Sequence, residues 1–177
     1  MSSIEQLPRI ETRRLTLRAP QASDAARLAE LAGDYDIARM TCSMPHPYAL
    51  ADAETFIARA QAGDPAREAA FVIEHDDMGV VGALGLHPGA AYGPEIGYWI
   101  GRPYWGRGLA SEAAGAAMNW AGGAWGRRAV VAGYFADNPA SGRVLERAGF
   151  LHTGEVRRRH SRARGEAAPT RMMVWLA

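Results

Sequence analysis

Apolar and polar positions alternate first at Ile10 to Arg18 (IETRRLTLR), where Leu15 and Leu17 stand among polar neighbours and the run ends before Pro20. This predicts a strand. Ser23 and Asp24 are cap-type residues, and Ala25, Leu28, Ala29 and Ala32 follow at helical spacing up to Gly33. Asp34 to Tyr48 is mixed and carries Pro45 and Pro47, which predicts short helical turns and loop. Ala49, Ala53, Phe56, Ile57 and Ala60 form a second amphipathic face, stopped near Gly63.

Ala69 to Glu74 and Val80 to Leu86 flank HDDMG, which predicts a hairpin, and Glu95 to Ile100 (EIGYWI) is a third strand. After PYWGRG comes a long helix with a small-residue face, Ala110, Ala113, Ala114, Ala117 and Ala121, suited to close packing on a sheet. Arg128 to Phe135 is a strand. Asn138 to Ala148 is a short helix with Asn138 as cap, Pro139 in the first turn and Gly149 at the end. Phe150 to Arg158 and Met172 to Leu176 close the chain as strands. Consecutive strands imply antiparallel pairing, and the strand-helix-strand passage implies a parallel neighbour. The expected fold is α/β: a mixed, mostly antiparallel seven-stranded sheet with helices on both faces. No linker divides it, so residues 1–177 are read as one domain, with a core from about 10 to 176.

Composition narrows the function classes. The chain has 177 residues and a net charge of +1, so no strong field favours nucleic acid or a membrane surface. All its cationic side chains other than histidine are Arg. No apolar run approaches the ~20 residues of a membrane span. Cys42 is the only cysteine, which excludes an internal disulfide and fits a reducing compartment. The N-terminus lacks the apolar stretch of a secretory signal. The expected location is cytoplasmic, as a monomer or homodimer, with no metal.

The chemistry gathers at two helix starts. Trp105-Gly106-Arg107-Gly108-Leu109-Ala110-Ser111 joins a strand to a helix. Its glycines allow a tight turn, and the first helical amides with the helix dipole make an anion site, to which Arg107 and Arg102 could add charge. Alone, such a turn is equally readable as a plain connection. Ser111 stands where a dinucleotide fingerprint needs its third glycine, and a triphosphate loop needs a lysine that is absent. The second start is Asn138-Pro139-Ala140-Ser141. If the strands preceding the two helices are parallel neighbours, both helices begin at one sheet edge, and a capping Asn138 leaves Ser141 free to face the groove.

EIGYWI, YWGRGLASEA and FADNPASGRVLERAGF together resemble the GNAT superfamily of N-acetyltransferases. ETRRLTLR and MPHPYALADAETFI resemble its Rim-type branch, which acetylates ribosomal-protein N-termini. The resemblance implies a sheet that splays between two central parallel strands, with acetyl-coenzyme A in the opening. It implies backbone bonds from Tyr98, Trp99 and Ile100 to the acetyl and pantetheine part. Trp105 to Ser111, with donors from Gly106 through Arg107, Gly108, Leu109 and Ala110, would seat the pyrophosphate. Asn138 would touch the pantetheine arm, Ser141 would lie near the thiol, and Arg143 would reach the nucleotide end. Trp105 stands where the superfamily pattern has Gln or Arg, which supports the branch and removes one phosphate contact.

The implied reaction is direct attack of an amine on the thioester in a ternary complex. It needs an oxyanion donor near Tyr98 to Ile100, a partner for the thiolate, and a base. Ser141 is the expected thiolate partner and Glu95 the first candidate base, with a solvated strand residue or an ion pair as its alternative role; His87 is the second candidate. Cys42 is expected to lie far from the site. Glu112, in the first helical turn, is read as complementing the dipole. Acceptor grooves in this fold lie against Asp34 to Tyr48 and Arg157 to Pro169. The second is Arg-rich, which would suit an acidic acceptor, while a mobile hairpin tip is the plainer alternative. The acceptor stays open between a protein N-terminal amine and a small-molecule amine, and a non-catalytic acyl-coenzyme A sensor is the third reading.

Overall fold

The structure, a computed structural model, describes residues 6–89 and 92–177. The expected opening strand is divided. β1 (Ile10–Glu11) and β2 (Leu15–Arg18) pair antiparallel, with Ile10 opposite Leu17. The Thr12 amide donates to the Leu15 carbonyl at 2.8 Å, and the Leu15 amide donates to Thr12 Oγ1 at 2.9 Å. Glu112 fixes this turn: its carboxylate accepts from the Thr12 hydroxyl at 2.7 Å and the Arg14 amide at 2.9 Å. A partner so distant in sequence leaves no trace in local alternation. Among the described residues the sheet therefore has eight strands where the pattern predicts seven.

Three helices follow: α1 (Ala25–Ala32), the short α2 (Tyr35–Ala38) and α3 (Leu50–Ala62). Asp24, only 5% exposed, anchors the start of α1. Arg18 from β2 donates to both of its oxygens, at 2.8 and 2.9 Å, and to Glu74 at 2.5 Å. Burial alone would raise the Asp24 carboxyl; the bonds from Arg18 and the Gln21 amide outweigh it and hold the group below its ordinary value. Because the folded value is depressed, the stabilisation is complete above the unfolded carboxylate pKa and is lost as pH falls below about 4. Asp24→Asn is expected to cost about 3 kcal/mol at neutral pH. Urea titrations at pH 7 and pH 3 check this; a penalty equal at both pH values would contradict the assignment.

The remaining elements are β3 (Ala69–His75), β4 (Gly79–His87), β5 (Glu95–Ile100), α4 (Leu109–Gly122), β6 (Ala129–Phe135), α5 (Pro139–Arg147), β7 (Leu151–Ser161) and β8 (Glu166–Leu176). The strand order is β1-β2-β3-β4-β5-β6-β8-β7. All pairs are antiparallel except β5 with β6. The last hairpin is longer than its pattern predicts. Its Arg-rich end is strand as far as Ser161, not a free tip. The buried Ser161 hydroxyl donates to the Thr41 carbonyl, and the Arg162 amide to the Cys42 carbonyl, both at 2.9 Å.

Both faces of the central strands are covered, while the edge strand β7 is largely exposed. Ala113, Ala114, Ala117 and Ala121 of α4 are fully buried in a cluster with Phe71, Leu84, Val130 and Met173. The small side chains bring the helix close to the strands. On the opposite face Leu28, Ala53 and Ile57 of α1 and α3 pack with Val72 and Val80.

Candidate active site

β5 and β6 register at a single pair, Glu95 opposite Val131, with the Val131 amide donating to the Pro94 carbonyl at 2.8 Å. Beyond it the strands separate. The Gly101 amide bonds the Val81 carbonyl on β4 at 2.8 Å. Strand alternation then turns the backbone groups of Trp99 toward β4 and those of Ile96, Tyr98 and Ile100 into the gap. Tyr98 and Ile100 thus offer donors and acceptors there. The Ile100 carbonyl is already engaged, accepting from the Trp105 indole N–H at 2.6 Å.

The glycine turn has the geometry its sequence requires. Gly106 (φ 74°) and Gly108 (φ 76°) both occupy the left-handed region, and Gly108 caps α4. The first amide of α4 to find a helical partner is that of Glu112, bonded to the Gly108 carbonyl. The amides of Leu109, Ala110 and Ser111 stand ahead of it, as at any helix start. Arg107 is exposed, its guanidinium against the Met78 sulfur at 3.5 Å. Arg102 is not available for phosphate: it pairs with Asp34 and Asp36 and lies over the Trp105 ring at 5.3 Å. Glu112 does more than face the dipole, since it ties β1 and β2 to α4.

Asn138 caps α5. Its side chain and its carbonyl both accept from the Ser141 amide, at 3.4 and 3.1 Å. The Ser141 hydroxyl faces Tyr98 across the gap. The phenol oxygen is 2.8 Å from Ser141 Oγ and donates to the Ser141 carbonyl at 3.2 Å when not donating to Oγ. Burial pushes the Tyr98 phenol up to about 12, with the serine bond working the other way. The family resemblance gives Tyr98 a backbone role only. A tyrosine at a position facing the gap was a usable signal, but its partner depends on how far β5 and α5 stand apart.

Two cavities meet here. One, of about 390 Å³, is lined by Tyr98, Trp99, Ile100, Trp105, Gly106, Leu109, Ala110, Asn138 and Ser141. These predicted donor-side residues converge on one groove. Four do not line it. Arg107, Gly108 and Ser111 flank its end, the Ser111 hydroxyl buried without a hydrogen-bond partner among the described residues; Arg143 is exposed on α5, with no ion pair among the described residues. The second cavity, of about 470 Å³, lies on the α1–α3 face and is lined by Glu95, Gly97, His87, Tyr48, Phe56, Phe135 and Arg159. Met40, Thr41, Tyr98, Trp99 and Ser141 line both. This shared wall marks where a group could pass from one cavity to the other.

Glu95 belongs to the second cavity. Its Oε1 accepts from Arg159 of β7, which reaches it over Gly133. A side chain at Gly133 would meet the Arg159 guanidinium at 3.1 Å. Arg159 therefore clamps β5 to the last hairpin, a role that the Arg-rich run did not reveal. His87 lies opposite Glu95 in the strand register and lines the same cavity.

Cys42 corrects an expectation. It lines this cavity, because the bonds from Ser161 and Arg162 fold its segment back over the sheet. Burial pushes its thiol up, which leaves it poorly nucleophilic. The acidic-acceptor expectation also loses most of its basis. Arg157, Arg159 and Arg164 are paired with Glu155, Glu95 and Asp137.

A helix start with its leading amides ahead of the first helical bond, a splayed parallel pair and a hydroxyl pair where two cavities join are the features a group-transfer enzyme requires. A family model for the acetyltransferase (GNAT) domain matches residues 14–151. The chain belongs to the GNAT acetyltransferases and uses acetyl-coenzyme A as donor. No curated protein matches it. Among solved structures it is similar to a GNAT-family acetyltransferase from Bacillus anthracis, with TM-score 0.82, 21% identity and 96% and 98% of the two chains covered. It is similar to the ribosomal L7/L12 alpha-N-protein acetyltransferase RimL in complex with coenzyme A, with TM-score 0.83, 18% identity and 96% and 98% coverage. It is also similar to spermidine N-acetyltransferase from Vibrio cholerae in complex with coenzyme A and spermine, with TM-score 0.77, 20% identity and 93% and 96% coverage. At these identities the likeness speaks for the fold. No helix among the described residues is long and apolar enough to cross a membrane, and no group of His, Cys, Asp and Glu there could hold a metal.

Proposed function

We propose that the chain acetylates the N-terminal amine of a peptide or protein, as the Rim-type resemblance implies. The structural relatives include both a protein and a polyamine enzyme at nearly equal identity, so they do not choose between acceptors. The carrying observation is the charge of the acceptor cavity. Among the described residues Glu95 is the one carboxylate lining it, and Arg159 already neutralises it. A polyamine, with several cationic centres, finds no free carboxylates at the reacting end. The cavity also shares Ser43, Met44, Tyr48, Phe56 and His87 with a trough of about 760 Å³ along α3, which gives an extended chain somewhere to run.

In this reading acetyl-coenzyme A lies in the donor groove with its pyrophosphate against the amides of Gly106 to Ser111. The exposed Arg107 and Arg143 serve the nucleotide end, Arg107 leaving its contact with the Met78 sulfur. The amine enters from the other cavity. Its nitrogen forms a bond to the thioester carbonyl carbon while a gap-facing amide of Tyr98 or Ile100 stabilises the oxyanion. The carbon–sulfur bond then breaks, and its electron pair leaves on sulfur beside Ser141. The proton lost by the amine goes to water ordered by Glu95 Oε2 or His87.

The test is coenzyme A release with a panel of N-terminal peptides, free amino acids and spermidine. Peptides are expected to give kcat/KM at least about tenfold above spermidine, a difference of about 1.4 kcal/mol in transition-state binding. Faster turnover of spermidine would overturn the acceptor assignment. Tight acetyl-coenzyme A binding with no turnover on any amine would favour the sensor reading.

A further inference from the structure

We infer that Tyr98 is a positioning residue for thiolate departure: its hydroxyl holds Ser141 so that the serine proton is aimed at the sulfur. The inference rests on the reading that Ser141 faces the leaving thiolate. It goes beyond that reading by giving the tyrosine side chain a task.

The geometry carries it. Tyr98 follows the Ile96 and Ile100 face of β5, and its ring packs against the main core. Packing alone would be served by phenylalanine. The hydroxyl instead ends on one residue of α5, touching both Ser141 Oγ and the Ser141 carbonyl. Ser141 is also on the wall shared by the two cavities, and its hydroxyl meets that of Tyr98 there, which in the proposed reading lies beside the reacting centre.

Proton counting gives the arrangement two states. A phenol has one proton. If Tyr98 donates to the Ser141 carbonyl, its oxygen accepts from the serine, and the serine proton points away from the gap. If Tyr98 donates to Ser141 Oγ, the serine proton is free to point into the gap. Negative charge on sulfur draws the serine proton and so selects the second state. The two hydrogen bonds then polarise one another in a desolvated site.

The chain stops at hydrogen bonding. As the carbon–sulfur bond breaks, sulfur keeps the electron pair and accepts a hydrogen bond from Ser141. A phenol pushed up to about 12 does not surrender its proton to a thiolate, whose acid has an ordinary pKa of about 8.5. The coenzyme A thiolate takes its proton from water after leaving, and both hydroxyls end the step as they began it.

A double-mutant cycle tests this. Tyr98→Phe is expected to lower kcat about tenfold, the worth of one hydrogen bond, with KM for acetyl-coenzyme A unchanged. Ser141→Ala should lower kcat further. The double variant should match Ser141→Ala, because the tyrosine acts only through the serine. The loss in Tyr98→Phe should shrink with an acetyl thioester of an acidic aryl thiol, which leaves without help. Wild-type turnover in Tyr98→Phe, multiplied losses in the double variant, or a loss insensitive to the leaving group would each overturn the inference. Wild-type turnover in Ser141→Ala would instead remove the serine reading on which it rests.

Discussion

Gly108→Trp should weaken coenzyme A binding at least about 100-fold, the loss of two or more hydrogen bonds to a charged ligand. Gly108 caps α4 at φ 76°, immediately ahead of the amides of Leu109, Ala110 and Ser111. An indole at this position covers the seat those amides offer to an anion. Two effects need separating, because any side chain at this φ also strains the backbone. Gly108→Ala carries the strain, about 1–2 kcal/mol, without filling the seat. A Cβ here would have only the Arg14 guanidinium nearby, at 3.7 Å. The alanine variant should therefore be less stable but bind within about tenfold of wild type. Calorimetric titration with coenzyme A reads both. Wild-type affinity in the tryptophan variant would move the pyrophosphate elsewhere.

Ser141→Ala should reduce kcat by about 100-fold, the usual loss for one donor aimed at developing charge. KM for acetyl-coenzyme A should stay within about threefold, since the contact strengthens only as sulfur becomes anionic. Stability should change by less than about 1 kcal/mol, because Tyr98 keeps the Ser141 backbone carbonyl as an acceptor. Steady-state kinetics with a peptide acceptor, beside a thermal melt, separates these effects. A higher KM at unchanged kcat would make Ser141 a binding residue and leave thiolate departure without a protein donor.

Much of the donor half of the candidate site is legible in the sequence because it is built from local rules. Two left-handed glycines before a helix and Asn-Pro before another are read from neighbouring residues, and both behave in the structure as such residues must. The acceptor half was less legible. Cys42 reads as remote because nothing nearby in sequence says that Arg162 and Ser161 will hold its carbonyl and that of Thr41. Arg159 was one of several arginines in a run, and only the strand register separates it from its neighbours. It is the member that crosses Gly133 to Glu95, while Arg157 stays at the surface with Glu155.

The sequence by itself determined the order of elements, the caps and turns, the alanine face of α4 and the family to which these motifs belong. Those features follow from spacing, backbone freedom and side-chain size within a few residues. Only the tertiary structure decided where the opening strand breaks, how β5 and β6 part after one pair, and which hydroxyl answers Ser141. Each of these is a contact between residues distant in the chain, set by the distances between packed elements. Local pattern contains no such distances.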